Sequence, residues 1–339
     1  MGLDKKKMHD WYKNHLSDFT STQQELHQHD IDLKPSEQIS KQLKIDVPIL
    51  KPENMGVHMA VDEKYINGEF YTLLTNGETG KIAMMAATTK AAQLAKVMPA
   101  FGDKRFQVKV FTRDLAPNYD WLGREQFMNA AHVADKFHVL KNGFDALQDL
   151  RIYYRQKQLT KRREAYDTYK IKKKDNPSLK FEYHESKLKN SETHRQLLSR
   201  SQYLLYKKQN QWSDSQQQRA EILFNLYPDI EKAYRRICEF RTWYSLENII
   251  TPENNKSFQS IKNQLEQWYK KVETDDISEI LNFKHLVERN SGAILNYFTT
   301  GASNAIAESN NAKIQNLLSQ NKGTRNIDFF YFRLKKFMA

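Results

Sequence analysis

Cysteine is nearly absent from this 339-residue sequence, in which Cys238 is the only one. A lone thiol excludes an intrachain disulfide and any zinc cluster built on several cysteines. No apolar run approaches the roughly 20 residues that a membrane-spanning helix needs. The first residues, MGLDKKKMHDWYK, lack the apolar core of a secretory signal. These absences predict a protein of a reducing, cytoplasmic compartment with no membrane partner.

Negative charge is also in short supply, because 53 Lys and Arg residues outnumber 41 Asp and Glu residues and give a formal net charge of +12. Basic chains bind polyanions, of which nucleic acid is the commonest in the cytoplasm. The alternative is a merely soluble basic protein. In residues 151–174 cations alternate with tyrosines, which favours DNA or RNA binding, although a solvated helix face has a similar pattern. The candidate DNA-binding residues are Arg151, Arg155, Lys161, Arg162, Arg163, Lys172, Lys173, Asn311 and Lys313.

Residues 56–136 alternate between strand and helix patterns. GVHMAVD is typical of a buried strand, and EFYTLLTN with GKIAMMAA predicts a hairpin around Asn76, Gly77 and Gly80. TKAAQLAKVMPAF predicts a helix, FQVKVFTRD a strand, NYDWLGREQFMNA a helix, and HVADKFHVLK a strand that runs into a helix. The order β-β-β-α-β-α-β predicts an α/β domain with a central hairpin followed by crossover helices.

The rest of the chain has helical patterns. Apolar residues recur at spacings of three and four from about residue 137 onward, and Pro177, Pro228 and Pro252 mark expected loops. KPSEQ indicates a helix start near the N-terminus. We therefore predict four segments: a helical N-terminal segment (1–50), the first part of the α/β domain (51–136), an all-helical insertion (137–295), and a C-terminal helical part of the α/β domain (296–339).

Acidic residues stand where predicted strands end. Asp62 ends the first strand, Asp114 the fourth and Asp135 the fifth. A lone Asp at such a place usually serves a turn, but three after the strands of one sheet favour a shared site. Glu63, beside Asp62, would point to the opposite face if the strand continues, so it is the weaker candidate. Hard cations such as Mg²⁺ take one or two carboxylates plus substrate phosphates, and two ions roughly 3.5–4 Å apart suit phosphodiester chemistry.

The segment SNAIAESNNAKIQNLLSQ predicts a helix that carries a fourth acid, Glu308. Asn304, Glu308, Asn311 and Gln315 share one face of it, which is either solvated or faces a site. Small residues would let this helix lie close to a sheet, namely Ala305, Ala307 and Ala312.

Two histidines, His132 and His138, flank Asp135 and suggest a metal site. No cysteine accompanies them, and they straddle a strand–helix junction. We therefore interpret His138 as a packing or hydrogen-bonding residue rather than a zinc ligand.

Four segments, VDEKYI, FTRDLAPNY, VADKFHVLK and SNAIAESNNAKIQ, occur in an order that resembles the catalytic region of bacterial insertion-sequence transposases of the ISL-three family. The DKFHVLK segment and the SNAIAESNNAKI helix are the most specific parts. LLYKKQNQWSDSQQQ and AYRRICEFRTWY resemble the helical insertion of that family. The resemblance covers about residues 56 to 335.

The resemblance implies a ribonuclease H-like mixed sheet with flanking helices, interrupted by the large all-helical insertion. It also implies an Asp–Asp–Glu triad that binds Mg²⁺ or Mn²⁺, with Asp62 as first and Glu308 as third acid. The first and fourth strands are neighbours in that fold, which favours Asp114 as the second acid. The DKFHV signature draws attention to Asp135, which remains the alternative.

The implied function is a transposase that cuts DNA and transfers the strand of an insertion sequence. The implied partners are DNA, as element ends and target, and further copies of the chain on that DNA, in a bacterial cytoplasm at the nucleoid. The family's cysteine-rich zinc-binding segment is not found, so we expect a truncated transposase whose residues 1–50 retain part of a helix-turn-helix region. Two alternatives remain, a catalytically silent DNA-binding relic and a ribonuclease H-like nuclease that only hydrolyses.

Overall fold

The computed structural model describes residues 4–21, 40–41, 44–320 and 326–339. The chain divides into two compact units, Met1–Lys136 with Gly292–Ala339, and Phe137–Ser291. We call the first the sheet unit and the second the helical unit. The helix start predicted at KPSEQ, residues 34–38, lies outside the described residues.

The sheet unit is built on six strands in the described part of the chain: β1 (Ile49–Leu50), β2 (His58–Ile66), β3 (Glu69–Asn76), β4 (Ile82–Ala86), β5 (Val110–Arg113) and β6 (Ala131–Ala134). Their order across the sheet is β1-β4-β3-β2-β5-β6. The pairs among β1 to β4 are antiparallel, whereas β5 runs parallel to β2 and β6 parallel to β5. This topology confirms the predicted α/β class, a ribonuclease H-like mixed sheet, and makes the first and fourth predicted strands direct neighbours.

The first predicted strand is longer than its pattern suggested. β2 continues past Asp62 to Ile66 and turns through Asn67 and Gly68, whose φ angles are 49° and 96°. Asn-Gly favours such a two-residue hairpin loop because both residues tolerate positive φ. Asp62 therefore lies within a strand, paired with Leu73, and does not end it as predicted. Because the strand continues, Glu63 belongs to the opposite face, as its pattern indicated.

The predicted hairpin around Asn76, Gly77 and Gly80 is confirmed as the β3–β4 connection. The Asn76 side chain caps this loop, since its Oδ1 accepts hydrogen bonds from the backbone N–H groups of Glu78 (2.9 Å) and Thr79 (3.0 Å). β1 was not predicted, because a strand of two residues is too short to show an alternating pattern.

Each face of the sheet carries its own core. In the described part of the sheet unit, the α-helices before the helical unit are α1 (Lys5–Trp11), α2 (Ala91–Val97), α3 (Lys104–Gln107) and α4 (Pro117–Gln126), and a π-helical turn (Tyr12–Leu16) follows α1. After the helical unit come α11 (Ser291–Thr300), α12 (Ala305–Gln320) and α13 (Ile327–Met338). Val61 and Phe111 pack with Leu94 of α2 and Tyr119 of α4 on one face. Leu73 packs with residues of the last two helices on the other, namely Ile314 and Phe330. Asp62, opposite Leu73, therefore belongs to the α12 face.

The helical unit contains most of α5 (Lys136–Asp175) and then α6 (His194–Arg200), α7 (Asp214–Leu226), α8 (Pro228–Trp243), α9 (Phe258–Asp275) and α10 (Ser278–Arg289). Capping boxes fix the N-termini of α6 and α7. Thr193 and Ser213 each form one with the glutamine three residues later in the sequence. Pro228 was predicted to mark a loop but is the first residue of α8, where its missing N–H leaves no helical hydrogen bond unmade. Short 3₁₀ turns complete the chain at Pro52–Asn54, Met98–Phe101, Leu204–Tyr206, Gln209–Gln211 and Leu246–Asn248.

A buried carboxylate links two helices of the helical unit. Glu192 Oε1 accepts from Arg200 Nη1 (3.0 Å) and Arg219 Nη2 (2.9 Å), and its side chain is only 6% exposed. Burial alone would raise the pKa of Glu192, but the hydrogen bonds from Arg219 and Arg200 outweigh it and hold the pKa below the ordinary value. The folded protein therefore stabilises the ionised form of Glu192.

We expect Glu192→Gln to lower the free energy of unfolding by about 2 kcal/mol at pH 7, because the arginines lose a charged acceptor while staying partly solvated. Urea unfolding followed by circular dichroism measures this. Glu182→Gln is the control, since that side chain is 75% exposed and should change stability by less than about 0.5 kcal/mol. Equal losses in the two variants would contradict the prediction. The deficit should also shrink as the pH falls below 4.5, the ordinary Glu value, toward the pKa of folded Glu192, because the wild-type carboxylate then protonates.

Candidate active site

Asp62 in β2 and Asp114 directly after β5 are neighbours across the sheet. The last parallel pair between β2 and β5 is Ala60 with Thr112. Asp62 stands two residues beyond the first member of that pair and Asp114 two residues beyond the second. Adjacent strands lie ~4.8 Å apart, so the two acids stand at the same level on neighbouring strands. Both are half-buried.

Asp135, directly after β6, continues the same row. Arg113 of β5 pairs with Ala134 of β6, and Asp114 and Asp135 each follow by one residue. The Asp135 backbone N–H donates to the Arg113 carbonyl oxygen at 2.7 Å. Asp135 is 2% exposed, so it is the most buried of the three acids. The geometry thus places Asp114 between the other two.

Helix α12 is anchored on the sheet by consecutive asparagines. Asn310 Nδ2 donates to the Gly80 carbonyl oxygen (2.6 Å), and Asn311 Nδ2 donates to Asp62 Oδ2 (2.5 Å). Ala307 and Ile314 are fully covered on the same side of the helix. These contacts fix both the position and the rotation of α12 relative to β2. Sequence reasoning did not single out Asn310, and the spacing of the buried residues, 307, 310 and 314, was the signal that would have found it.

Glu308 lies one turn after the start of this helix and is exposed. Its backbone N–H donates to the Asn304 carbonyl oxygen at 2.9 Å. Asn304 is 1% exposed, and neither its Nδ2 nor its Oδ1 has a hydrogen-bond partner. The predicted polar face is therefore not uniform, because Asn304 is buried and Asn311 half-buried, whereas Glu308 and Gln315 face solvent. Of the three alanines expected against the sheet, Ala307 is buried but Ala305 and Ala312 are exposed.

The turn that carries Asp114 is held by a buried arginine. Asp114 Oδ1 accepts from the Ala116 N–H (2.9 Å), and Arg113 Nη1 donates to the Asp114 carbonyl oxygen (2.8 Å). Arg113 is 2% exposed and forms an ion pair with Asp120 of α4, which also pairs with Arg124 at 2.9 Å. Burial lowers the pKa of Arg113, and the neighbouring carboxylates of Asp120 and Asp114 act in the opposite direction. Arg113 thus fixes the backbone from which Asp114 projects.

A lysine shares the strand and the face of the first acid. Lys64 lies two residues after Asp62 and is half-buried. Burial lowers the pKa of Lys64, while the negative charge of Asp62 acts to raise it. Lys64 and Asp62 thus carry opposite charges on the same face of β2.

His58, on the same strand, is a half-buried histidine. Its Nε2 lies 2.8 Å from Thr112 Oγ1, and burial lowers its pKa, against a weaker opposite effect of Glu78. Burial also lowers the pKa of His132, which stacks edge-on against Phe111 with centroids 5.9 Å apart. His132 is therefore a packing residue.

We expect the sheet unit to become less stable as the pH falls below 6.5, the ordinary pKa of His, because His58 then binds a proton more readily in the unfolded chain than in the fold. The free energy of unfolding should rise with pH between the folded pKa and about 6.5, and remain flat above it. Urea unfolding at pH 5.5 and 7.5 measures the difference. His58→Gln should reduce the difference by part of its value, since His132 still contributes, and an unchanged pH dependence would contradict the assignment to His58.

The predicted DNA-binding residues differ in how far their side chains are exposed to solvent. Arg151 is 5% exposed and donates to the Leu198 carbonyl oxygen (2.9 Å) and Gln148 Oε1 (2.6 Å), so it serves the internal packing of the helical unit and we leave it out of the phosphate-binding set. Arg155 is half-buried, and Asn311 is engaged with Asp62. The remaining candidates are exposed, namely Lys161, Arg162, Arg163, Lys172, Lys173 and Lys313. No carboxylate within the described residues forms an ion pair with Lys161, Arg162 or Arg163.

The donor atoms around Asp62 suit a hard divalent cation by their chemistry. Among the described residues, no group of three His, Cys, Asp or Glu side chains is arranged to hold a metal ion. Mg²⁺ requires no such group, because it usually binds one or two carboxylates and completes its shell with water and substrate phosphates. Asp62 and Asp114 offer two carboxylates at one level.

The comparisons with known proteins agree with this geometry. A family model described as Transposase, that of the ISL3-type DDE transposases, matches residues 59–334 and so includes all four acids. A comparison with curated proteins returned no match. None of the helices in the described residues is long and apolar enough to cross a membrane. Since the matched region is most of the chain, the protein belongs to the ISL3-type family of DDE transposases.

Proposed function

We propose that this transposase catalyses divalent-metal-dependent cleavage of DNA at the ends of an insertion sequence and transfer of the cut strand to target DNA. The observation that carries the proposal is the row formed by Asp62 in β2, Asp114 directly after β5 and Asp135 directly after β6, with the Glu308 helix fixed against Asp62 through Asn311. Carboxylates from neighbouring strands and a docked helix are what metal-dependent phosphodiester chemistry requires.

The chain's own residues have distinct tasks in this proposal. Asp62, Asp114 and Glu308 would hold Mg²⁺ or Mn²⁺, with Asp135 as the alternative to Asp114. When bound, the metal supplies activation of the attacking oxygen and charge stabilisation at the phosphorus. Arg113 holds the Asp114 turn through the Asp114 carbonyl oxygen and so keeps its carboxylate at the edge of the sheet. Asn310 keeps α12 in place through the Gly80 carbonyl oxygen.

Two phosphoryl-transfer steps account for the reaction. In the first, water attacks a phosphodiester, the bond to the 3′-oxygen breaks, and a 3′-hydroxyl and a 5′-phosphate are formed. In the second, that 3′-hydroxyl attacks a phosphodiester of target DNA, one new P–O bond replaces one broken bond, and the target strand leaves with its own 3′-hydroxyl. No covalent protein intermediate is required.

The exposed cations of α5 supply the sequence-independent part of DNA binding. Lys161, Arg162 and Arg163 stand together on the solvent side of the helix, followed by Lys172 and Lys173. Neutralisation of phosphates by such residues gives affinity that falls steeply with salt. Two copies of the chain are expected to act together on DNA, because an element has two ends.

The test is incubation of the purified chain with supercoiled plasmid and Mn²⁺, with and without a pre-cut duplex carrying a free 3′-hydroxyl. We expect nicked plasmid in both reactions and covalently joined product in the second. Nicking without joining would replace the transposase reaction with simple hydrolysis. Salt-sensitive DNA binding with neither product would identify a silent DNA-binding protein and overturn the proposal.

A further inference from the structure

The amide of Asn311 has a contact that a DNA-binding side chain would not need. Its Nδ2 donates to Oδ2 of Asp62 at 2.5 Å, across 249 positions of sequence. The other oxygen, Oδ1, accepts from the Glu63 backbone N–H at 2.8 Å. These two hydrogen bonds engage both oxygens of the Asp62 carboxylate, one from the helix side and one from the strand itself.

The two donors together fix the plane of this carboxylate. The Glu63 N–H is part of β2, which is paired with β3 on both sides of Asp62. Asn311 is held from the other side, because Asn310 is bonded to the Gly80 carbonyl oxygen and Ile314 lies in the core. A carboxylate held between a strand and a helix cannot rotate about its Cβ–Cγ bond without breaking one of these hydrogen bonds.

We propose that Asn311 is a positioning residue for Asp62, which holds the carboxylate in the orientation that binds the divalent cation. This inference rests on the proposed function, since it assigns Asn311 to the metal site of that reaction. Partners that orient a metal-binding carboxylate change metal affinity by 10- to 100-fold when they are removed, although they do not touch the ion.

The neighbouring asparagine provides a matched control. Asn310 and Asn311 have the same side chain and are adjacent on α12. Each donates one hydrogen bond to the strands or their connections, Asn310 to Gly80 in the β3–β4 loop and Asn311 to Asp62 in β2. Asn310 bonds a backbone carbonyl oxygen and so serves attachment of the helix, whereas Asn311 bonds the carboxylate. A purely structural role would make the two substitutions equivalent.

The experiment measures Mn²⁺ affinity by electron paramagnetic resonance and plasmid nicking as a function of Mn²⁺ concentration, for the wild type, Asn311→Ala and Asn310→Ala. We expect Asn311→Ala to raise both the dissociation constant and the half-saturating Mn²⁺ concentration about 10- to 100-fold. The maximal nicking rate at saturating Mn²⁺ should fall much less. Asn310→Ala should lower the melting temperature and, because it weakens only the attachment of α12, raise the Mn²⁺ dissociation constant much less than Asn311→Ala does.

Two results overturn the inference while leaving the proposed function intact. One is wild-type affinity for Mn²⁺ in Asn311→Ala, when Asp62→Ala has lost that affinity. The other is an equal loss of Mn²⁺ affinity in Asn310→Ala and Asn311→Ala, which would make both residues structural. If the wild type binds Mn²⁺ no better than Asp62→Ala does and nicks no DNA, the proposed function fails and the inference fails with it.

Discussion

Asp62→Ala and Asp114→Ala are each expected to reduce Mn²⁺-dependent nicking of supercoiled plasmid by roughly a thousandfold or more. Each removes a proposed metal-binding carboxylate, and a loss of about 4 kcal/mol of transition-state stabilisation corresponds to that factor. The measurement is the initial rate of nicking at fixed salt and Mn²⁺. Binding of DNA at low metal concentration should persist, because the cations of α5 are unchanged.

The same assay separates Asp114 from Asp135. Retained nicking in Asp135→Ala, with loss in Asp114→Ala, would support Asp114 as the second acid of the triad. Loss in all three variants would make Asp135 part of the working site. Retained nicking in Asp114→Ala, with loss in Asp135→Ala, would exchange the roles of the two acids. Asp120→Ala is the control for an indirect effect. The Asp120 carboxylate pairs with Arg113 and Arg124 and is not a proposed metal ligand, so its loss should reduce stability and slow nicking far less than Asp114→Ala does.

Simultaneous replacement of Lys161, Arg162 and Arg163 by alanine should weaken DNA binding on the order of a hundredfold at ~0.1 M salt. Each cation that neutralises a phosphate contributes about one unit to the slope of log affinity against log salt concentration. The slope should therefore fall by about three units. Fluorescence anisotropy with a labelled duplex at several salt concentrations gives both quantities.

A control with the same change of charge is available in α9. Alanine at Lys262, Lys270 and Lys271 also removes three exposed cations and takes the net charge from +12 to +9. If net charge alone attracts DNA, the two triple variants will bind equally. A much larger loss in the α5 variant would locate the phosphate contacts there, and an unchanged slope in that variant would contradict the assignment.

The sequence predicted the sheet well where its pattern was local. Alternating apolar residues and the turn residues Asn76, Gly77 and Gly80 identified the β3–β4 hairpin. The end of β2 was misjudged because Asp62, Glu63 and Lys64 interrupt the apolar pattern. Hydrogen bonds to β3 carry the strand to Ile66 in spite of those charges, and only the pairing partner reveals this.

The sequence indicated candidate residues for the site but not the contacts that those residues make. Acids after strands and the helix carrying Glu308 could be read from spacing and from the family resemblance. The hydrogen bond from Asn311 to Asp62 joins residues far apart in sequence, so no local pattern indicates it. Arg151 illustrates the opposite case, since a cation in a basic stretch is buried when nearby acceptors, here Gln148 and the Leu198 carbonyl, take up its donors.

Asp62 and Glu308 stand on elements that are held in the fold by different kinds of contact, and these elements should therefore differ in how easily they open. Asp62 lies in a strand with backbone pairing to β3 along its whole length, whereas α12 is fastened by side chains such as Asn310, Asn311 and Ile314. Partial opening that releases a docked helix costs less than unfolding the sheet beneath it. Hydrogen exchange at α12 amides should therefore be faster than at β2 amides, and mild denaturant should reversibly abolish the proposed nicking activity while the sheet remains folded.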